Sequence, residues 1–181
     1  LRAGADFRGF FIRTFTGKQL YWDRVEDHDY DIRDIAHALS MKCRWSGHTR
    51  RFYSVAEHSF MVAFLVPQKH RLSALLHDAA EAYMPDFPSP LKWYLKSLGF
   101  NILSELEKRV DQSIAKKFGY EFPRDPIIKE ADLELLALES QQLMPEGDEK
   151  RYMLPEFDIR LTCLPPRDAE LAFLDAYERS K

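Results

Sequence analysis

Apolar residues recur at helical spacing along most of this 181-residue chain, and this periodicity limits its fold more than any other feature. Ser54 is a good N-cap for the segment SVAEHSFMVAFLV, and Glu57, three residues later, is expected to complete a capping box. Residues 10–22 instead favour a short hairpin with its turn at Thr16-Gly17. Further helices are predicted from Asp31 onward, in the segment opened by Pro67, in LKWYLKSL, and over residues 101–118, 127–143 and 167–180. The sequence therefore predicts an all-α fold, a helical bundle with a small N-terminal β-hairpin, in one domain spanning residues 1–181.

The composition excludes several classes of function. The net charge is −3, which argues against a general binder of polymeric nucleic acid or of membrane surfaces. No apolar run approaches the roughly 20 residues that a membrane-spanning helix needs. Cys43 and Cys163 cannot form a disulfide framework and fit a reducing compartment. We therefore expect a cytoplasmic protein with no nucleic-acid polymer and no membrane as partner.

The histidines are unevenly distributed, since all six lie in the first 77 residues. A metal site must therefore take its nitrogen ligands from the N-terminal half of the chain. His77 and Asp78 are adjacent on a predicted helix, where neighbours differ by about 100° in direction and can contact one ion. An imidazole nitrogen and a carboxylate oxygen suit a divalent metal. The dipeptide alone, however, is more typical of a half-buried histidine beside a solvated aspartate.

Three further residues strengthen the metal hypothesis. Glu81 follows His77 by four residues and Asp78 by three, so it is predicted to project from the same helix face. His58 lies in a helix so apolar that a polar side chain there needs a partner. Asp132 borders the apolar stripe of the helix predicted over residues 127–143. His58, His77, Asp78 and Asp132 would then be four ligands on three helices, leaving positions open for water and substrate.

The order of these motifs resembles that of the HD-domain phosphohydrolases, which are named for an H…HD…D metal motif. The stretches that carry the resemblance are CRWSGHTRRFYSVAEHS, LLHDAAEAYMPDFPSPLK and KEAD, and together they cover roughly residues 30–140. The chain is most similar to the small deoxynucleotide-specific branch of that family, which contains bacterial 5′-deoxynucleotidases and phage dATP triphosphohydrolases. The resemblance implies an HD-domain helical bundle and a hydrolase of nucleotide metabolism.

The resemblance also implies roles for particular residues. The four ligands named above would hold one divalent metal ion, with zinc, cobalt, manganese and magnesium left open as its identity. Glu81 and Asp86 would position and deprotonate the attacking water or protonate the leaving oxygen, which agrees with the chemistry of carboxylates beside a metal. Asp86 alone would equally fit a turn-forming aspartate in the proline-rich segment MPDFPSP.

Substrate contacts are assigned in the same way. Arg44 matches a phosphate-clamping arginine of the family, and Trp45 matches an aromatic residue that packs on the sugar and leaves no room for a 2′-hydroxyl. Lys92 matches a family position, Lys96 lies four residues later on the same face, and Lys129 is one turn before Asp132. Taken singly, each of these lysines is more typical of a solvated surface charge, and Trp45 of a core residue.

The number of cations bears on the choice of substrate. A triphosphate bearing a charge of about −4 needs three or more cations, whereas a monophosphate needs about one arginine and one lysine. Arg44, the three lysines and the basic loop at residues 48–51 therefore favour a dNTP triphosphohydrolase of the dATP type, which releases deoxynucleoside and triphosphate. The first alternative is a 5′-deoxynucleotidase that hydrolyses dNMPs. The second is a non-catalytic helical interaction module with a structural metal.

Single residues argue against other classes of enzyme, and the composition suggests the assembly state. Two-metal HD enzymes recruit further histidines after the HD pair, and this chain has none beyond position 77. Alarmone hydrolases carry an acidic residue directly after the glutamate, where this chain has Ala82. Cys43 lacks an orienting group for a thiol nucleophile. The 13% aromatic content suggests buried inter-subunit surface, and relatives are homo-oligomers, so we expect a homo-oligomer, either a dimer or a hexamer.

Overall fold

The structure is a computed structural model that describes residues 9–85, 87–145 and 159–181. Over these residues the chain is all-α with a two-stranded hairpin near the N-terminus, as predicted. The strands and α-helices are β1 Phe11–Arg13, β2 Gln19–Tyr21, α1 Ile32–Ser40, α2 Val55–Leu65, α3 Arg71–Leu75, α4 Ser89–Ser97, α5 Ile102–Phe118, α6 Pro126–Leu143 and α7 Pro166–Ser180. Short 3-10 helices span Trp22–Asp27, Trp45–Gly47, Gln68–His70 and Ala79–Ala82. Among the described residues, no helix is both long and apolar enough to cross a membrane. The assignment of residues 1–181 to one domain stays a prediction.

The hairpin forms where the β-branched and aromatic residues predicted it. β1 and β2 pair antiparallel, with Phe11 opposite Tyr21. Gly17 has a φ of 87°, in the left-handed region that glycine adopts without steric cost, and its N–H donates to the carbonyl of Thr14 at 3.0 Å. The buried carboxylate of Asp34 then accepts from the backbone N–H of Thr16 at 2.6 Å, which fixes the turn against α1.

Helix α2 lies at the centre of the fold and packs against α1, α3, α6 and α7. Because neighbours cover it on several sides, its apolar residues are not confined to one stripe, and polar side chains such as those of His58 and Glu57 are buried with them. The largest fully buried apolar side chains of the core come from most elements of the chain, namely Leu20, Tyr30, Ile35, Leu39, Tyr53, Leu75, Leu76, Ile114, Leu135 and Phe173. A histidine on α2 therefore faces other helices and is shielded from solvent.

The helix predicted over the segment that begins at Pro67 is interrupted, and the prediction that His77 and Asp78 lie on a helix is wrong. Helix α3 ends at Leu75, and His77 and Asp78 lie in the turn that separates it from the 3-10 helix Ala79–Ala82. The hydrogen bonding changes at this point. The carbonyl of Ala74, which in a continued helix would accept from the N–H of residue 78, accepts from the backbone N–H of His77 at 3.3 Å and from its Nδ1 at 2.7 Å. Both contacts lie where the helix that was expected to carry His77 ends.

The capping box predicted at the start of α2 forms only in part. The hydroxyl of Ser54 accepts from the backbone N–H of Glu57 at 3.0 Å, as an N-cap does. The carboxylate of Glu57, however, accepts from the backbone N–H groups of Cys163 at 2.9 Å and Leu164 at 2.7 Å. Glu57 therefore anchors the segment before α7, because its carboxylate accepts from two partly buried backbone amides there.

Asp31, the N-cap of α1, makes the stability of the fold depend on pH. Its carboxylate accepts from the backbone N–H of Arg33 at 3.0 Å and pairs with the guanidinium of the same residue at 2.7 Å. These hydrogen bonds from Arg33 hold the pKa of Asp31 well below its ordinary value. Since the unfolded chain, with a pKa near about 3.9, binds more protons in this window, the free energy of unfolding falls as the pH falls from about 5 to 3.

Between pH 5 and pH 3, we expect the free energy of unfolding of Asp31→Asn to fall by about 0.5–1 kcal/mol less than that of the wild type. Asparagine keeps the N-cap hydrogen bond but not the charge. Urea unfolding of both proteins at pH 3, 4, 5 and 6 measures it. Equal pH profiles for the wild type and the variant would contradict the assignment to Asp31.

Candidate metal centre

Three of the four predicted metal ligands, His58, His77 and Asp132, converge in the structure, and the fourth, Asp78, lies beside the two histidines. His58 comes from α2, His77 and Asp78 from the turn after α3, and Asp132 from α6. Nε2 of His58 lies 3.2 Å from Nε2 of His77 and 3.2 Å from Oδ1 of Asp132. Oδ2 of Asp78 lies 3.3 Å from Nε2 of His77 and 3.8 Å from Nε2 of His58. Single donor atoms of His58, His77 and Asp132 all lie within 4.8 Å of one another, which is compatible with binding one metal ion.

Hydrogen bonds on the far side of each imidazole show which ring nitrogens face the cluster. Nδ1 of His58 donates to Oε1 of Glu139 at 2.7 Å, and Nδ1 of His77 donates to the carbonyl of Ala74 at 2.7 Å. In neutral imidazoles with these partners, both Nε2 atoms present a lone pair. Two lone pairs 3.2 Å apart repel unless a cation, a proton or a metal ion, lies between them.

The chemistry of the donor set fits a divalent ion. Two nitrogen donors at about 2.0–2.1 Å from one tetrahedral ion lie about 3.3 Å apart, close to the observed Nε2–Nε2 separation. Burial opposes the ionisation of Asp78 and Asp132, yet the neighbouring histidines hold the pKa of both carboxyls well below the ordinary value. Burial likewise opposes a charge on His58, but its pKa is raised, with Glu139 and Asp132 favouring the cation. The cluster therefore attracts one positive charge, and a metal ion competes with the proton for that place.

Arg44 and Trp45 lie beside the ligands and share a buried acceptor. Nη1 of Arg44 is 3.6 Å from Oδ2 of Asp78, while its Nη2 and Nε each lie 3.0 Å from Oε2 of Glu139. Nε1 of Trp45 donates to the same oxygen at 3.3 Å. Burial raises the pKa of Glu139, but Arg44 and His58 together bring it below its ordinary value. The guanidinium therefore lies between an ionised buried carboxylate and a predicted metal ligand.

Glu139 is a functional candidate that the sequence analysis missed. Its side chain is 0% exposed, and it contacts His58, Arg44 and Trp45. One signal could have found it. Glu139 follows Asp132 by seven residues, about two helical turns, so both lie on one face of α6. A charged residue at that position in the apolar run LLALES needs buried partners.

Of the two predicted catalytic carboxylates, Glu81 and Asp86, the structure describes only Glu81. Glu81 lies in the 3-10 helix directly after Asp78, is half-buried, and lines a small cavity together with Lys92 and Glu107. Its backbone carbonyl accepts from Nζ of Lys42, which holds this turn against the end of α1. Asp86 lies outside the described residues, so its role stays a prediction.

The predicted lysines occupy different surroundings. Nζ of Lys92 contacts Oε1 of Glu107 at 2.8 Å, and although burial lowers the pKa of Lys92, Glu107 raises it above the ordinary value. Nζ of Lys129 lies 2.7 Å from Oδ2 of Asp132, whereas Lys96 is exposed near the end of α4. In the basic loop, Arg51 donates to the carbonyl of Thr162 at 2.9 Å and so contacts the segment before α7. Of the three predicted lysines, Lys129 therefore contacts a predicted ligand, and Lys92 lines the same small cavity as Glu81.

Comparison with known proteins assigns the chain to a family without stating an activity. No protein-family model matches the chain. It is 42% identical to "Uncharacterized protein YfdR" of Escherichia coli K12 over 133 residues, which are 74% of this chain and 72% of that protein. The chain belongs to the YfdR family. It is also 34% identical over 144 residues to an uncharacterized protein of Rhodobacter capsulatus, covering 72% of this chain and 71% of that protein.

Neither name in the YfdR family states a reaction or a ligand. What the family members do must therefore be argued from the residues of the site. The cluster of His58, His77 and Asp132 is compatible with a metal-dependent protein. The likeness to HD-domain phosphohydrolases stays a prediction that rests on the motifs of the sequence.

Proposed function

We propose that this protein is a metal-dependent phosphohydrolase of deoxynucleotides that cleaves the phosphoester bond between the 5′-oxygen and the α-phosphorus. The observation that supports it is the cluster of His58, His77 and Asp132, with Asp78 beside the two histidines and the guanidinium of Arg44 beside Asp78. Ligands for a metal and a cation for a phosphate then lie at one site, as hydrolysis of a phosphate ester requires.

The four ligands would hold one divalent ion, which lowers the pKa of water and polarises a phosphoryl oxygen when bound. Arg44 engages Glu139 through Nε and Nη2, so Nη1 is the nitrogen turned toward Asp78 and a phosphate bound there. Glu81, in the 3-10 helix directly after Asp78, would orient water and accept its proton. The indole of Trp45, fixed through its N–H to Glu139, would pack on the deoxyribose.

The charge balance around the ligands favours a monophosphate substrate. Three of the predicted cations near the cluster each have a carboxylate partner: Arg44 pairs with Glu139, Lys92 with Glu107, and Lys129 with Asp132. Little uncompensated positive charge remains for a triphosphate of about −4, whereas a monophosphate of about −2 is matched by the divalent ion. This pairing changes the ranking that the number of cations alone predicts, and we propose a 5′-deoxynucleotidase that releases inorganic phosphate.

Hydrolysis of dNTPs is the second candidate, because Lys96 is exposed on the helix that carries Lys92 and lies four residues from it. A side chain there can reach outer phosphates without first losing a buried ion pair.

Product analysis with a panel of nucleotides separates these candidates. The protein is incubated with dNMPs, dNTPs and the matching ribonucleotides in the presence of Co²⁺, Mn²⁺, Zn²⁺ or Mg²⁺, and with EDTA as control. We expect phosphate from dNMPs, little from ribonucleotides, and none with EDTA. Triphosphate from dNTPs would favour the second candidate. No product from any deoxynucleotide would contradict both and support a non-catalytic module with a structural metal.

A further inference from the structure

Glu139 joins the metal ligands to the residues that face the substrate. Its two carboxylate oxygens have different partners: Oε1 accepts from His58, and Oε2 accepts from Arg44 and Trp45. We propose that Glu139 is a positioning residue that sets metal affinity and phosphate affinity together. The part that concerns phosphate rests on the proposed function, whereas the part that concerns the metal does not.

The contact with His58 controls the nitrogen that faces the cluster. Both side chains are fully buried, and the hydrogen bond between them is 2.7 Å long. A carboxylate acceptor holds the proton on Nδ1 and leaves the lone pair on Nε2, the atom 3.2 Å from Asp132. Removal of such a partner of a metal-ligating histidine typically weakens metal binding by about 10–100-fold.

The contacts of Glu139 with Arg44 and Trp45 hold a turn whose backbone is strained. Trp45 has a φ of 56° and Ser46 a φ of 52°, in the left-handed region that a bulky side chain such as that of tryptophan rarely adopts. The indole N–H on Glu139 and the backbone N–H of Arg44 on the carbonyl of Tyr53, at 2.8 Å, oppose relaxation of this turn. The carboxylate of Glu139 therefore positions both residues through their side chains.

Helix α6 makes the coupling rigid. Asp132 and Glu139 lie about two turns apart on this helix, so one element carries both a predicted ligand and the acceptor behind another ligand. Any change that moves the carboxylate of Glu139 relative to Asp132 changes the His58–Asp132 separation and the position of Arg44 together.

The test compares Glu139→Gln with Glu57→Gln. Glu57 is a matched control, because it is also a buried glutamate but accepts from the backbone amides of Cys163 and Leu164. Zn²⁺ affinity is measured by competition with a chromophoric chelator, and the tautomer of His58 by ¹⁵N NMR. We expect Glu139→Gln to weaken Zn²⁺ binding by about 10–100-fold and to reduce the fraction of His58 protonated at Nδ1, with Glu57→Gln close to the wild type.

The affinity for inorganic phosphate, measured on the zinc-loaded proteins, is expected to fall further in Glu139→Gln than in Glu57→Gln. If Glu139→Gln fails to fold, Glu139→Asp, which keeps the charge, replaces it in the same measurements. Equal Zn²⁺ affinities and equal tautomers in the two glutamine variants would overturn the proposal. Weaker Zn²⁺ binding in a protein that hydrolyses no deoxynucleotide would uphold the role of Glu139 at the metal while contradicting the proposed function.

Discussion

Replacing His77 with alanine is expected to remove most bound metal and to lower the proposed deoxynucleotide hydrolysis by at least about a thousandfold. His77 provides one of the two imidazole nitrogens at the cluster, and its ring is held by the carbonyl of Ala74. Loss of a ligand forfeits the several kcal/mol of charge stabilisation that a bound divalent ion supplies, and about 4 kcal/mol corresponds to a thousandfold in rate. Metal content by plasma mass spectrometry and initial rates at saturating metal measure the two effects.

His70→Ala is the matched control for this variant. His70 lies just before α3, is not among the residues of the cluster, and has its Nε2 3.7 Å from Oδ2 of the exposed Asp125. We expect its metal content and rate to stay within a factor of about two of the wild type, because such surface pairs contribute little. A His77→Ala protein that keeps its metal and its rate would show that the cluster is not the metal centre.

Replacing Arg44 with methionine is expected to lower the free energy of unfolding by about 3–5 kcal/mol. The guanidinium is the cationic partner of the fully buried Glu139, and removing it leaves an uncompensated charge in the core. The indole N–H of Trp45 and the imidazole of His58 still contact that carboxylate, but neither supplies the fixed positive charge of an arginine. Urea unfolding of the metal-free protein measures the loss.

The control for Arg44→Met is Arg109→Met, which breaks an ion pair of similar length on the surface. Nε of Arg109 lies 2.7 Å from Oε1 of Glu26, and both side chains are largely solvated. We expect a loss of less than about 1 kcal/mol, because water screens the pair in the folded state. Losses of equal size in the two variants would mean that burial adds nothing to the Arg44–Glu139 pair.

Helices were predicted well where their signals lie within the segment itself. The prediction over residues 127–143 agrees with α6, and that over residues 101–118 agrees with α5, which ends at Phe118 and is followed by Gly119 with a φ of 77°. Apolar periodicity and a glycine after the last turn depend only on residues within or next to the helix, and here tertiary packing leaves both helices as predicted. The predicted ligands could also be chosen from the sequence, because the choice rested on residue types and on their order along the chain.

Predictions failed where a side chain took a partner from another part of the chain or from a backbone group. The predicted helix stops before His77 and Asp78, where the carbonyl of Ala74 accepts from the imidazole of His77. Glu57 bonds amides more than a hundred residues away in place of the N-cap amide. Helical periodicity describes which face of an element is apolar and carries no information about such partners.

The sequence by itself determined an all-α fold with a hairpin and a set of imidazole and carboxylate donors in the order of a metal motif. Only the tertiary structure decided that Nε2 of His58 and Nε2 of His77 face each other at 3.2 Å and that Glu139 supports His58 and Arg44 together. The reason is that these contacts depend on how α3 with its following turn, and α6, pack against α2. His58 and Glu139 are 81 residues apart, and a hydrogen bond over that separation exists only once the helices between and around them have packed.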